Sequence, residues 1–242
     1  MGPWLAKGEG RVLLSGMIGS RGGWVETGYL PCPVSPHDLA GGLVAVPFDG
    51  AAVRVIPGVS SADQNGVPEF IRGEEAQIFG TEIKSGVICL PGSHSKWVQV
   101  EGGKIATFTT YLTGEAFAAV RAHTILARSI TDGPVVEGAF DAGVARSADA
   151  GGLLHHLFGI RSLGLVGRLA ETSAGSYLSG LLVGHEVRQA MGVGVEVHVV
   201  GAQDLAKLYA RAIKACGGFA RVWSDETAAL GINQIAECAA WT

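Results

Sequence analysis

The chain is short of cysteine, of charge and of long apolar runs, and each shortage excludes something. Its four cysteines, Cys32, Cys89, Cys216 and Cys238, are widely spaced and form no C-x-x-C pair. That leaves neither a zinc site nor a dithiol redox motif and points to reduced, buried small residues. Only 17% of the 242 residues are charged and the formal net charge is −4. So weak an acidity gives no electrostatic footprint for nucleic acid or for an anionic membrane surface. No apolar run reaches the roughly 18 residues of a membrane span. The first residues, Met1 to Lys7, lack a cationic stretch followed by an apolar one. No secretion signal is therefore expected, and the cytoplasm is the expected compartment. There is no Walker-type Gly-Lys-Ser/Thr loop, no G-x-G-x-x-G, no G-x-S-x-G and no H-E-x-x-H. These absences set aside P-loop kinases, common Rossmann dehydrogenases, common serine hydrolases and zincins.

Glycine and apolar residues are plentiful. The 37 glycines are about double the usual share of roughly 7%, which fits many tight turns and close backbone approaches. With 48% hydrophobic residues a sizeable core can be buried, in one large domain or two small lobes. Val12–Leu14 reads as a buried strand that runs into a Gly-rich loop from Gly16 to Gly23. Ser35-Pro36-His37-Asp38 reads as a helix start. Val44–Phe48 and Val53–Ile56 flank the hairpin signal Asp49-Gly50. Ser60 to Pro68 is polar and reads as an exposed loop, followed by a helix from Glu69 or Glu74 to Ile83. Val87–Leu90, Trp97–Val100 and Ile105–Phe108 form a three-stranded meander. Thr113 caps a helix reaching about Ile130, and helical patterns cover Val136–Ala148, Leu153–Phe158 and Tyr177–Met191. Val195–Val200, a helix with Leu205, Leu208, Tyr209, Ala212 and Ile213 inward, and Ala220–Trp223 make a strand–helix–strand unit. That unit implies a parallel pair with a right-handed crossover. A last helix spans Glu226–Ala239. Together these elements predict an α/β fold with mixed sheets, dividing near Ser85-Gly86 into a first lobe over residues 1–85 and a second over 86–242.

The segment from Ile71 to Val100 holds the residues best suited to chemistry. Glu74 follows a glycine at a helix start, where a carboxylate can take a proton from a substrate hydroxyl. The plain alternative is that Glu74 and Glu75 are first-turn acids favoured by the helix dipole. Arg72 can pair with a substrate carboxylate in bidentate fashion, or be an exposed helix-start arginine. The loop Gly92-Ser93-His94-Ser95-Lys96 offers backbone N–H groups, two hydroxyls, an imidazole and an ammonium to a phosphate, or is an ordinary polar hairpin tip. Gly201-Ala202, after a buried strand, lets a nucleotide approach a helix start, or is a standard strand-to-helix turn. Ser20, Arg21 and Trp24 sit in a loop after a strand, where ligands often bind in α/β sheets, unless Trp24 simply covers the core. His155-His156 reads as a helix-surface pair and His185 as a core or rim residue. A carboxylate upstream of a small-residue loop points to phosphoryl transfer.

These segments, taken in order, resemble the 2-dehydro-3-deoxygalactonokinase family, sugar-acid kinases of the actin/hexokinase-like superfamily. The resemblance is carried by Ser15-Gly16-Met17-Ile18-Gly19-Ser20 with Gly23-Trp24, by Arg72-Gly73-Glu74-Glu75 with Gln77, and by Leu90 to Val98. Thr113-Gly114-Glu115, Leu178 to Leu182 with Gly184 and Glu186, Gly201 and Asp225–Gly231 extend it over nearly the whole chain.

It implies an actin-like, ribonuclease H-like two-lobed ATPase fold. Val87–Val100 then looks like the second phosphate motif, Val197–Asp204 like the adenosine motif and Asp225–Ala236 like the helix returning to the first lobe. Glu74 would be the catalytic carboxylate. Ser20, Arg21, Trp24 and Arg72 would meet the sugar acid, and Gly92 to Lys96 with Gly201 and Ala202 would meet the nucleotide. ATP and Mg²⁺ are the expected cofactors, with no protein metal cluster expected. The implied reaction is phosphorylation of 2-dehydro-3-deoxy-D-galactonate at its 6-hydroxyl in galactonate catabolism.

Family members begin with an Asp-x-Gly-Thr-like first phosphate motif, and nothing like it precedes Val12. The expectation is therefore a first lobe truncated at its N-terminus, or a start upstream of Met1, with Val12–Leu14 normally an interior strand. An edge exposed in this way invites pairing with a second copy in a homodimer. The competing expectations are a non-catalytic sugar-acid or nucleotide-binding protein on the same fold, and a kinase for a related sugar acid.

Overall fold

The computed structural model describes residues 2–224 and 226–241. Met1 lies outside the described residues, as does Asp225, with which the returning segment was expected to begin. The chain forms two compact units. One comprises residues 1–88, 98–109 and 223–242, and the other residues 89–97 and 110–222.

The first unit opens with the short helix α1 (Gly2–Leu5), then β1 (Arg11–Leu14), a 3₁₀ turn at Met17–Gly19 and β2 (Tyr29–Pro31). Helix α2 (Pro36–Gly41) starts as the sequence predicts. Asp38 N–H donates to Ser35 Oγ at 3.2 Å and Ser35 N–H donates to Asp38 Oδ2 at 2.8 Å, a capping box with proline in the first turn. Strands β3 (Val44–Val46) and β4 (Ala52–Val55) pair antiparallel across the Asp49-Gly50 turn. β1 joins them parallel to β4, giving the order β1-β4-β3. Val46, Val53 and Val55 are buried on this sheet, with Val12, Leu14 and Ile18 packed beside them. Among the described residues β1 has β4 alone as its ladder partner and stands at an edge of its sheet, the exposed edge that was expected of this first strand.

The polar stretch from Ser60 to Pro68 is a loop only over residues 63–67. Its ends belong to β5 (Gly58–Ala62) and β6 (Pro68–Ile71), an antiparallel pair. Serines are tolerated here because their hydroxyls find partners, Ser61 Oγ lying 3.0 Å from Thr107 Oγ1. β2 pairs parallel with β5. Helix α3 (Glu74–Phe79) follows, starting at the later of the two expected positions and ending four residues early at Phe79.

Strands β7 (Gly86–Leu90), β8 (Ser95–Glu101) and β9 (Lys104–Tyr111) follow in the expected order. In the second unit, α4 (Thr113–His123) has Leu112 rather than Thr113 at its N-cap. It stops well before Ile130, because Thr124 accepts the Leu126 N–H and caps a separate 3₁₀ turn, Ile125–Ser129. Helices α5 (Glu137–Arg146), α6 (Gly152–Leu165) and α7 (Glu171–Ala190) come next, the last two longer than their apolar patterns suggest. Then come β10 (Glu196–Val199), α8 (Gln203–Ala215) and β11 (Phe219–Val222), with β10 and β11 parallel. The sheet order is β11-β10-β7-β8-β9. His156 is fully buried rather than on a helix surface; its Nδ1 lies 3.0 Å from His185 Nε2 and its Nε2 lies 3.1 Å from the Ala150 carbonyl. Among the described residues no helix is long and apolar enough to cross a membrane.

The last helix, α9 (Thr227–Cys238), belongs to the first unit and lies on α3. The contact is backbone against backbone. A methyl group at Gly231 would stand 1.8 Å from the Ala76 carbonyl oxygen, and one at Gly80 would stand 1.7 Å from that of Thr227. Gly231→Ala is therefore expected to force the helices apart and cost about 3 kcal/mol. Gly159→Ala inside α6, where an added methyl meets nothing within 4 Å, is expected to stabilise by about 0.5 to 1 kcal/mol. Urea unfolding of the two variants checks the contrast.

Candidate active site

The residues singled out by the sequence fall into two groups, one in each unit. In the first unit they gather around the turn between β6 and α3. Gly73 sits there with φ of +107°, a conformation that disfavours side chains, and a Cβ on it would approach Gly16 Cα at 3.1 Å. The close approach brings the Ser15-Gly16 loop onto the turn. Glu75 ties the two together. Its Oε1 accepts the Ser15 hydroxyl at 3.0 Å and its Oε2 accepts the Gly73 N–H at 2.6 Å. The Glu75 side chain is wholly buried, and burial pushes its carboxyl up to about 7 against the favourable pull of those hydrogen bonds.

Glu74, one position earlier, is only partly buried, and its Oε2 accepts the Arg72 N–H at 2.9 Å. The two carboxylates thus differ in kind, one spent inside the structure and one held at its surface. Arg72 is also partly buried. Its guanidinium stacks 4.4 Å from the Tyr29 ring centroid, donates to the Thr27 hydroxyl and donates to the Thr27 carbonyl at 2.9 Å. Its Nε–H has no acceptor among the described residues.

The Ser20 loop joins this group through Gly19, whose carbonyl accepts the Thr27 N–H at 2.9 Å and the Thr27 hydroxyl at 3.2 Å. Ser20 itself is partly buried, Arg21 is exposed, and Trp24 is exposed with its ring edge-on to Phe48 at 6.0 Å. The structure thus gathers Ser20, Arg72 and Glu74 around one loop-and-turn unit, whereas Arg21 and Trp24 lie out toward solvent.

In the second unit the Gly92–Lys96 loop and Gly201-Ala202 are neighbours. Val200 N–H donates to the Cys89 carbonyl at 2.9 Å, and a Cβ on Gly201 would lie 3.4 Å from the Pro91 oxygen. The loop is docked on the start of α4, where Glu115 N–H donates to the Ser93 carbonyl at 3.0 Å and the Glu115 carboxylate meets His94 Nε2 at 2.5 Å. The two serines are not equivalent. Ser93 is exposed, while Ser95 is fully buried and spends its hydroxyl proton on Glu186 Oε1 at 2.8 Å. Lys96 is nearly buried and its Nζ donates to the His94 carbonyl at 2.8 Å. Glu186 also accepts Trp97 Nε1–H and the Tyr209 hydroxyl, each at 2.8 Å. Burial, helped by the Glu186 charge, holds the Tyr209 phenol far above its ordinary value, so it remains a donor.

Glu75 and Tyr209 were thus read only as a first-turn acid and a core residue, and Glu186 only as part of a pattern. A carboxylate inside an otherwise apolar helix stretch, as in Leu181 to Val187, is the signal that could have marked Glu186. Among the described residues no group of three or more metal-ligating side chains converges.

A family model described as 2-keto-3-deoxy-galactonokinase matches residues 1–235. A curated protein of Rhizobium meliloti (strain 1021), named "Probable 2-dehydro-3-deoxygalactonokinase", is 32% identical over 237 residues, covering 93% of this chain and 77% of its own. The 2-dehydro-3-deoxygalactonokinase of Escherichia coli (strain K12) is 31% identical, covering 95% and 79%. A crystal structure from Sinorhizobium meliloti, of a protein whose name assigns it to the same kinase class, superposes with a TM-score of 0.87 at 30% identity. It covers 98% of this chain and 81% of that one.

Proposed function

The chain belongs to the 2-keto-3-deoxy-galactonokinase family of sugar-acid kinases, and we propose that it transfers the γ-phosphoryl group of Mg²⁺-ATP to the 6-hydroxyl of 2-dehydro-3-deoxy-D-galactonate, in the cytoplasm, as a step of galactonate catabolism. The observation that carries this reading is the Arg72–Glu74 turn. A guanidinium stacked on Tyr29 and a partly exposed carboxylate stand two residues apart, on a turn fixed by Gly73. Arg72 meets the carboxylate of the sugar acid, and Ser20, Arg21 and Trp24 line the sugar.

Glu74 accepts the proton of the 6-hydroxyl while the hydroxyl oxygen bonds to the γ-phosphorus. The bond to the bridging oxygen breaks and ADP leaves with that oxygen. The Gly92–Lys96 loop presents backbone N–H groups, the Ser93 hydroxyl and His94 to the phosphates. Ser95 and Lys96 hold the loop's shape from below, and Gly201 and Ala202 pass beside the adenosine. The first unit is assigned to the sugar acid and the base, and residues 89–97 and 110–222 to the nucleotide.

Incubation of the purified protein with Mg²⁺-ATP and the sugar acid is expected to release ADP in equal amount to a new phosphate monoester seen by phosphorus NMR. Binding of both ligands by calorimetry without any monoester would overturn the reading in favour of a binding protein. Faster turnover of an epimeric ketodeoxy acid would reassign the substrate.

A further inference from the structure

Resting on that reading of the Arg72–Glu74 turn, we propose that Glu75 is a positioning residue: its buried carboxylate clamps the Gly73 turn to the Ser15-Gly16 loop and so aims the Glu74 carboxylate at the substrate hydroxyl.

The geometry leaves Glu75 no direct role. Its side chain is out of reach of solvent, and both carboxylate oxygens are occupied, one by the Ser15 hydroxyl and one by the Gly73 N–H. What it does hold is the Arg72–Gly73 peptide, one residue before Glu74. The Gly73 N–H is fixed by Glu75 Oε2 at 2.6 Å, while the next carboxylate back-bonds to the Arg72 N–H at 2.9 Å. Two consecutive backbone donors thus set the direction of two consecutive glutamates. Of the charged groups around Glu75, its neighbour Glu74 is the one whose field acts on it. Helix α9, which packs on α3, turns Thr227, Gly231 and Ile235 inward, and among the described residues it buries no charged side chain against α3. The loop from the other side contributes Ser15 and Gly16, which do not titrate.

The Glu74 charge adds to the upward push that burial exerts on the Glu75 carboxyl. As Glu75 protonates, near pH 7, its oxygens hold the Ser15 hydroxyl and the Gly73 N–H less firmly, the aim of Glu74 loosens and turnover falls toward acid pH. Folding stability runs the opposite way. A carboxyl whose folded value lies above the ordinary 4.5 stabilises the fold fully below 4.5, and the contribution is lost as pH rises through about 7. A side chain with a purely structural role would show only the second trend.

Glu75→Gln separates the two. The amide oxygen can accept the Gly73 N–H and the amide nitrogen can donate to Ser15 Oγ, so the fold is kept. The expected result is a plateau of kcat/KM lowered about tenfold, an acid limb moved to lower pH by about half a unit or more, and little change in KM for Mg²⁺-ATP. Glu75→Ala, which lacks both hydrogen bonds, is expected to lose more. An acid limb that superposes on the wild type, with only the melting temperature altered, would overturn the proposal. NMR titration of the Gly73 amide signal reads the clamp without turnover. In the wild type that signal should move as Glu75 titrates near pH 7, a shift that Glu75→Gln should abolish. If that shift appears in a protein that does not phosphorylate the sugar acid, the clamp stands and the kinase assignment fails. If turnover is present and the shift is absent, the assignment stands and the clamp fails.

Discussion

Glu74→Gln is expected to lower kcat about a thousandfold while the protein melts at the wild-type temperature. The first half follows from the chemistry. An amide cannot take the proton of the attacking hydroxyl, and loss of a general base costs about 10² to 10⁴ in rate. A thousandfold loss corresponds to roughly 4 kcal/mol of transition-state stabilisation. The second half follows from the geometry. Glu74 is partly exposed, and the glutamine oxygen can still accept the Arg72 N–H that Glu74 Oε2 accepts at 2.9 Å. Binding of the sugar acid should change little, because Arg72 and the Ser20 loop are untouched. The defect should therefore fall on kcat and on kcat/KM equally, the pattern of an interaction made only in the transition state. Steady-state kinetics of ADP release, with a melting curve on the same preparation, decide the matter. A variant within tenfold of wild type would remove Glu74 as the base. The neighbouring substitution sharpens the comparison, since Glu75→Gln is expected to lose about a hundredfold less and to shift its pH profile instead.

The difference between those two glutamates was not legible in the sequence. Gly73-Glu74-Glu75 opens a helix, and both acids suit a first helical turn equally. Consecutive helix positions point about 100° apart, so one of the pair must turn inward, but which one depends on what the turn rests on. Here it rests on the Ser15-Gly16 loop, sixty positions away in the chain, and only the fold brings that loop into place.

Local signals that need no distant partner were read well: the Ser35 capping box, the Asp49-Gly50 hairpin and the strand–helix–strand from Val195 to Trp223. Readings that assumed solvent around polar side chains went astray. Ser60 and Ser61 suggested a loop but lie in β5, and His156 suggested a surface but is buried against His185. Composition cannot separate a polar residue with a buried partner from one facing water. The kinase assignment was legible because it rests on order and spacing along nearly the whole chain, which survive such local misreadings.

The same limit hid the network under the Gly92–Lys96 loop, and from it comes the second large effect, in Glu186→Ala. Glu186 is almost wholly buried and takes three donors, the Ser95 hydroxyl, the Trp97 indole N–H and the Tyr209 hydroxyl, all at 2.8 Å. Each donor comes from a side chain that is itself buried. Removing the acceptor strands all three, and an unsatisfied buried donor costs about 1 to 3 kcal/mol. Relief of the buried charge offsets part of this, so a net loss of about 3 to 5 kcal/mol is expected. In a domain of this size that lowers the melting temperature by roughly 10 °C.

Glu186→Gln should behave quite differently. Its amide oxygen can accept from Ser95 and Trp97, whose donors share Oε1, and its amide nitrogen can donate to the Tyr209 oxygen, because a phenol both gives and accepts. The glutamine variant should therefore lose about 1 kcal/mol or less. The functional consequence follows from where Ser95 and Trp97 stand. They begin β8 directly after the loop assigned to the phosphates, so their loss unfastens that loop. At a temperature where Glu186→Ala is still folded, KM for Mg²⁺-ATP should rise tenfold or more with KM for the sugar acid unchanged. An equal rise in both would mean that Glu186 supports the fold in general and the Gly92–Lys96 loop no more than the rest.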